Sequence, residues 1–426
     1  MAEIKNALSG VSENYVQALN MAVEAAGCVY EKDGKALPSK TGQFVYQVRP
    51  GEKEMVETQM GALGSCFNSL CYSLLSESPE IRKWLGVSAQ EVDLAQETKP
   101  SEQSMVTYFG VDKCGPDWKV NDFNVDRATI VGFQPEFAEV FGEFFPWLVP
   151  HMTSFYNQLI TEFQNLSGKD HSRIFVLHNE NEAYLKPFTR FASRFGLEIG
   201  SIRDFCPRKY DLIFRAMKSE VILNEKDKYQ DLINCLQAGL PMVNPLGSYL
   251  AGNKGWEAVL SLKSCSGVDP EWFPVPVILT DGLVAITVSD QKAEIGEWDE
   301  VTIDGLKKAK NSLVLKKAFS FGGNKVYIGK KAKAWEWSGL IDSIKLSGAS
   351  WVIETAQPKI EADVQVGDSN AEGNVISVSK KLNLIQRWYG CGDFSQGKFE
   401  LTGEVFGGES SKVNASGYTF PIAFSD

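Results

Sequence analysis

A chain of 426 residues, 43% hydrophobic and 11% aromatic, can bury a large core and is too long for one small domain. Its 43 Lys and Arg stand against 54 Asp and Glu, a net charge of −11. An acidic chain is a poor general binder of nucleic acid, because phosphate neutralisation supplies most non-specific affinity. Apolar stretches such as FPVPVILTDGLVAITV are broken by Pro, Asp and Gly, so none reads as a membrane span.

The opening residues, MAEIKNALSGVSENY, have no cationic start followed by an apolar run, so no signal peptide is expected. Eight Cys are scattered without a C-x-x-C pair, and three His cannot complete a zinc pattern. Buried, reduced thiols in a cytoplasmic protein are the expectation.

Residues 12–30 carry apolar residues at helical spacing after Ser12, and residues 52–86 predict two more helices. Residues 1–104 thus read as a helical N-terminal subdomain. Residues 108–126, YFGVDKCGPDWKVNDFNVD, predict two short strands joined by the Gly115-Pro116-Asp117 turn. Side chains alternate along a strand, so Asp122 and Asn124 share a face, and the fold-back brings Asp112 opposite residues 120–122. Like charges that close are costly unless a cation sits between them. The all-oxygen set Asp112, Asp122 and Asn124 suits Mg²⁺. A solvated hairpin with polar outward positions is the alternative. Residues 134–166 return to helix, with Pro146 and Pro150 expected to break it.

A different rhythm occupies residues 171–250. RIFVLHNE, EIGSIRD and YDLIFRAM predict short strands, alternating with helices through Phe195 and over YQDLINCLQAG. That alternation predicts a small parallel sheet, a Rossmann-like layer. Its first strand lacks G-x-G-x-x-G, which argues against a dinucleotide site.

From residue 251 the chain carries nucleotide signals. Lys254, in AGNKGWEAVL, stands at an expected helix start. In LVLKKAFSFGGNKVYIG a strand delivers Lys316, a loop with Ser320, Gly322 and Gly323 follows, and a second strand closes it. Glycine lets backbone N–H groups approach phosphate oxygens closely, and a lysine adds charge. An ordinary hairpin with a Gly-Gly tip would read the same way. WVIETA predicts a strand turning polar at Glu354, which could meet an adenine amino group or solvent. QVGDSNAEGNV, 365–375, reads as a mobile hairpin tip.

In this order the pieces resemble the circularly permuted ATP-grasp family, which includes glutathionylspermidine synthase. The hairpin resembles that family's D…E-x-N metal element at Asp112, Asp122 and Asn124. VNPLGSYLAGNKGWEAVL resembles its N-K-a-l-l helix at Lys254. LVLKKAFSFGGNKVYIG resembles its l-K-P…G-G-x-x-V-x-i-G element at Lys316, Gly322 and Gly323, and WVIETA its adenine hinge at Glu354. The metal element precedes the Gly-rich loop, which is the permuted order. Departures are Asp122 for the usual Glu, Lys317 for a Pro, and Gly110 where an Arg commonly stands. A phosphate-clamping Arg would then be Arg127 or Arg387, unless these only make surface ion pairs.

The resemblance implies an α+β or α/β fold: a permuted ATP-grasp core, with metal part 105–170 and nucleotide part 251–426, around the Rossmann-like layer and the helical subdomain. It also implies an ATP- and Mg²⁺-dependent ligase that activates a carboxylate as an acyl phosphate, releases ADP and phosphate, and passes the acyl group to an amine or thiol. Its partners would be small-molecule carboxylates and amines, with no nucleic acid and no membrane. A small-molecule kinase and a non-catalytic nucleotide-binding assembly protein are the alternatives.

Overall fold

The computed structural model describes residues 13–25, 29–32, 35–38, 40–41, 46–48, 50–99, 103–115, 117–126, 140–144, 149–180, 185–260, 267–274, 277–279, 303–318, 325–347, 351–369, 375–408 and 418–424. The strands in chain order open with β1 (Val29–Lys32), β2 (Lys35–Pro38), β3 (Tyr46–Val48), β4 (Tyr108–Cys114) and β5 (Lys119–Asn124). Next come β6 (Ile174–Leu177), β7 (Glu198–Gly200), β8 (Leu212–Arg215) and β9 (Met242–Val243). The C-terminal part adds β10 (Val277–Leu279), β11 (Leu313–Lys317), β12 (Val326–Ile328), β13 (Trp351–Thr355) and β14 (Ile360–Ser369). It ends with β15 (Val375–Asp393), β16 (Lys398–Gly408) and β17 (Tyr418–Phe424).

The largest sheet runs β3-β17-β16-β15-β4-β5, with β14 pairing a second stretch of β15. Alternation along β4 and β5 divides its two faces. Phe109, Val111, Phe123 and Val125 pack on the helices between residues 50 and 97, among them Met60, Leu63 and Phe67. Tyr108, Tyr389 and Cys391 face the other way, onto Phe155, Leu159 and Phe163 of the helix Val149–Ser167. Pro150 lies in the first turn of that helix, where a missing N–H costs nothing. It therefore starts the helix rather than breaking it; Pro146 lies outside the described residues. Residues read only as helical also supply β1, β2 and β3, and β3 pairs in parallel with β17 at the sheet edge.

The alternating segment forms the expected parallel sheet, in the order β7-β6-β8-β9. Asn244, just after β9, stitches it to the large sheet. Its side chain accepts from the N–H of Thr107 and Tyr108 and donates to the carbonyls of Tyr108 and Val125. A third, antiparallel sheet runs β10-β13-β11-β12, with Trp337, Ile341 and Ile344 of the helix Ala334–Ser347 in its core.

Among the described residues, no helix is long and apolar enough to cross a membrane. Cys66, Cys71 and Cys391 are buried thiols, but Cys206 is exposed. The tip within 365–375 begins as regular strand to Ser369, and residues 370–374 lie outside the described residues.

Candidate functional site

The hairpin closes through Gly115, whose φ of +77° falls in the left-handed region that glycine enters without strain. Asp112 pairs directly with Asp122, and Gly110 with Asn124, across the two strands. Cross-strand partners share a face, so Asp112, Asp122 and Asn124 do come together. The Asn124 amide donates to Asp112 Oδ1 at 3.3 Å.

Each carboxylate already has a cation. Arg387, opposite Asp112 on β15, grips both its oxygens, with Nη2 to Oδ2 at 2.6 Å and Nε on Oδ1. Burial lowers the Arg387 pKa, but the Asp112 charge more than offsets it, and the guanidinium is held well above its ordinary range. It also lies 4.6 Å from the Phe406 ring centre, a cation–π contact. Position 110 has little room for a side chain, since a Cβ on Gly110 would come within 2.8 Å of the Tyr389 ring. The guanidinium that meets Asp112 comes from the neighbouring strand β15.

Lys254 reaches Asp122 Oδ1 at 3.0 Å. It stands at the start of the short helix Trp256–Leu260, where its carbonyl accepts from the Glu257 N–H at 3.1 Å, and its own N–H is bonded to the Ala318 carbonyl at 3.0 Å. That bond ties it to the end of β11. Lys316, buried on β11, pairs with Glu354 Oε1 at 2.5 Å and donates to the Asn121 carbonyl beside Asp122. Burial lowers its pKa, but Glu354 and Glu257 raise it further, so it stays charged. Two lysines, one from the third sheet and one from its approach loop, thus meet the β4–β5 hairpin of the first.

Glu257, one helical turn past Lys254, escaped the sequence reading. It is fully buried and shares a hydrogen bond with Glu354. Burial first, then the Glu354 charge, pushes its carboxyl well above the usual range, so it is the protonated member of the pair. With Glu257 neutral, three carboxylates (Asp112, Asp122, Glu354) balance three cations (Arg387, Lys254, Lys316). The only sequence sign of Glu257 was an acidic residue in the otherwise apolar run WEAVL.

These contacts test the fit to Mg²⁺. Asp112 has both oxygens committed to Arg387, so it is a poor third ligand. Asp122 and Asn124 suit a cation that takes one or two carboxylates and completes its shell with substrate phosphates. Among the described residues, no group of three or more His, Cys, Asp and Glu is arranged to hold a metal. Arg127, Ser320, Gly322 and Gly323 lie outside the described residues.

Arg387→Met should therefore leave Asp112 as an uncompensated part-buried charge and destabilise the fold by about 3–5 kcal/mol. Millimolar Mg²⁺ should then raise the melting temperature of the variant more than that of the unmodified protein. An equal response of both to Mg²⁺ in thermal melts would show that Asp112 is not a latent ligand.

No protein-family model matches the sequence, and no curated protein matches it. Among solved structures, a match is a glutathione synthetase-like effector from Globodera pallida, determined in its apo form. It is 12% identical, superposes with a TM-score of 0.58, and the match covers 97% of this chain and 98% of that one. At that identity the likeness speaks for architecture alone. Over nearly its whole length, the chain has the mixed α and β fold of a glutathione synthetase-like protein.

Proposed function

We propose that this chain is an ATP-dependent, ADP-forming ligase that joins a carboxylate to an amine or thiol, built on a circularly permuted ATP-grasp core like that of glutathionylspermidine synthase. The observation that carries this reading is the convergence of Lys254 and Lys316 on the strand of Asp122 and Asn124. Two lysines beside two oxygen ligands is a set suited to a triphosphate with its metal. The glutathione synthetase-like fold supports it.

Lys254, now paired with Asp122, is placed to turn to a phosphate oxygen, and Asp122 with Asn124 would hold Mg²⁺, which would supply positive charge to the phosphates. Lys316 adds fixed positive charge from below, kept protonated by Glu354. Such transfer needs orientation and charge stabilisation more than covalent help. Adenine lies along the Trp351–Ala356 segment. The Glu354 side chain is turned to Lys316, so the strand's backbone reads the base. The substrates come from the carboxylate and amine classes, and the acyl phosphate is the reactive species.

A second reading, nucleotide binding without turnover, is favoured by the balanced charges and by Asp112 being held by Arg387. One assay separates the readings. Incubation with ATP, Mg²⁺, a panel of amino acids and peptides, and hydroxylamine should yield ADP, phosphate and a hydroxamate. AMP as the stoichiometric product would overturn the acyl-phosphate mechanism. A stable phosphorylated product without condensation would make the protein a kinase. Saturable ATP binding with no consumption across the panel would favour the non-catalytic reading.

A further inference from the structure

The helix Ala334–Ser347 begins AWEWSG, and its two tryptophans part ways. A helix turns about 100° per residue, so positions 335 and 337 face nearly opposite sides. Trp337 is fully buried against the third sheet and donates its indole N–H to the Leu306 carbonyl at 3.0 Å. Trp335 is 71% exposed, the most exposed large apolar side chain among the described residues. The core makes no use of it.

The surface around Trp335 is basic. Residues 325–336 hold four lysines and one acid, in a chain whose net charge is −11. Lys330 and Lys331 end the short 3₁₀ turn Gly329–Lys331, and Lys333 directly precedes the helix; all three are exposed. Lys333 Nζ lies 5.9 Å from the Trp335 ring centre. The one acid, Glu336, is turned to the backbone, where it accepts from the Lys333 N–H at 2.9 Å. Lys310 holds the turn from behind, its ammonium donating to the carbonyls of Gly329 and Ala332 at 2.8 and 2.7 Å. A fixed turn thus presents three ammonium groups and an indole in quick succession.

Lysines beside a sheet edge discourage strand addition, and β12 is the outer strand of the third sheet. That accounts for Lys330 and Lys331 but not for Trp335, which adds an adhesive surface where edge protection would remove one. Indole and ammonium together suit the boundary of a lipid bilayer. The ring settles at headgroup level, and lysines reach anionic headgroups while their apolar stems lie beneath. Nucleic acid fits less well. Residues 325–336 include no arginine to fork onto phosphates or bases, and single strands stack successive bases on several rings.

We propose that the Gly329–Lys331 turn and the start of the following helix form a docking surface for anionic membranes, with Trp335 entering the interface and Lys330, Lys331 and Lys333 over the headgroups. Docking of this kind needs no spanning helix. It sets aside the expectation of no membrane partner and does not depend on the ligase reading. The helix covers the face of the third sheet that holds Leu315 and Ile353. Lys316 and Glu354 lie on the other face, so docking on the helix side leaves them uncovered.

Vesicle flotation with the full chain is the test, and it needs no nucleotide. In low salt the protein should prefer phosphatidylcholine vesicles with about 30% phosphatidylserine over phosphatidylcholine alone by about a hundredfold. Lys330→Gln, Lys331→Gln and Lys333→Gln combined should abolish that preference, on the order of fivefold per lysine. Trp335→Ala should weaken binding to the anionic vesicles about tenfold. Lys226→Gln, Lys228→Gln and Lys381→Gln combined remove the same charge elsewhere and should bind as the unmodified protein does. All these positions are exposed, so the variants should melt within about 1 °C of the unmodified protein. Equal binding of the unmodified protein to both vesicles would overturn the proposal and leave the turn a guarded sheet edge. So would an equal loss in the two three-lysine variants. Tighter binding to a single-stranded oligonucleotide than to the anionic vesicles, lost with Lys330, Lys331 and Lys333, would replace the membrane by nucleic acid.

Discussion

Lys316→Met should destabilise the protein by about 3–5 kcal/mol, because it strands a carboxylate in the interior. Glu354 keeps its charge through Lys316, and Glu257 already gives up its own to burial and to Glu354. Removing the lysine leaves two buried carboxyl groups that must both be protonated or pull water inward. Lys316→Met combined with Glu354→Gln removes the stranded charge and should recover most of the loss. Denaturant unfolding of both singles and the double would give a coupling energy of about 2 kcal/mol or more. A single variant costing under about 1 kcal/mol, or plain additivity, would show that the Lys316–Glu354 pair does not stabilise the fold. Lys316 is therefore a structural group as well as a candidate phosphate ligand. Loss of nucleotide binding in Lys316→Met is meaningful only beside the double variant.

The second large effect concerns Lys113, whose side chain faces opposite to Asp112. It is fully buried and donates to Gln59 Oε1 at 2.7 Å. Burial pulls its pKa from the ordinary 10.5 down to about 7, against a weaker upward pull from Glu52. The sign follows from proton counts. Between about pH 7 and 10.5 the unfolded chain holds this proton and the folded chain does not, so stability rises with pH across that window. Below it both forms are protonated and the cost of a buried ammonium is fully felt. The full rise amounts to roughly 5 kcal/mol by linkage. The thiols of Cys114 and Cys391, pushed up mainly by burial, oppose it from about pH 8.5, where unfolded thiols ionise. Lys113→Met should be more stable than the unmodified protein at pH 7 and should lose the upward slope between about pH 7 and 8.5. Parallel pH profiles for the two proteins would refute the buried, titrating lysine.

The hairpin was legible because two independent signals coincided, a Gly-Pro-Asp turn and strict alternation into Asp122 and Asn124. The parallel sheet was legible because β6 (IFVL) and the first three residues of β8 (LIF) read as apolar runs. The cation partners of the carboxylates were not. Arg387 meets Asp112 only because β15 pairs with β4 across 275 residues of sequence. Nothing local announces such a register. For the same reason the crowding of carboxylates around Asp112 was visible, but the arginine that meets it was not. The buried pair of Asp126 and Arg215, 3.0 Å apart, was hidden alike, since each becomes notable only when the two sheets abut. The β3 strand was missed because three residues on a sheet edge carry no periodicity of their own.

That edge has a consequence for synthesis. Tyr418, Phe420 and Ile422 of β17 are buried, and the strand closes the large sheet against β16 on one side and β3 on the other. Thr41 seals the corner through its hydroxyl to the Thr419 carbonyl at 2.7 Å. A strand made among the first fifty residues therefore waits for one made after four hundred. At ribosomal speed of about 5–20 residues per second, that wait is tens of seconds. Throughout it β3 has no strand to pair with, and an unpaired edge is open to other chains. The protein completes its largest sheet only after the segment through Phe424 has emerged, and the nascent form is the one a chaperone would have to shield.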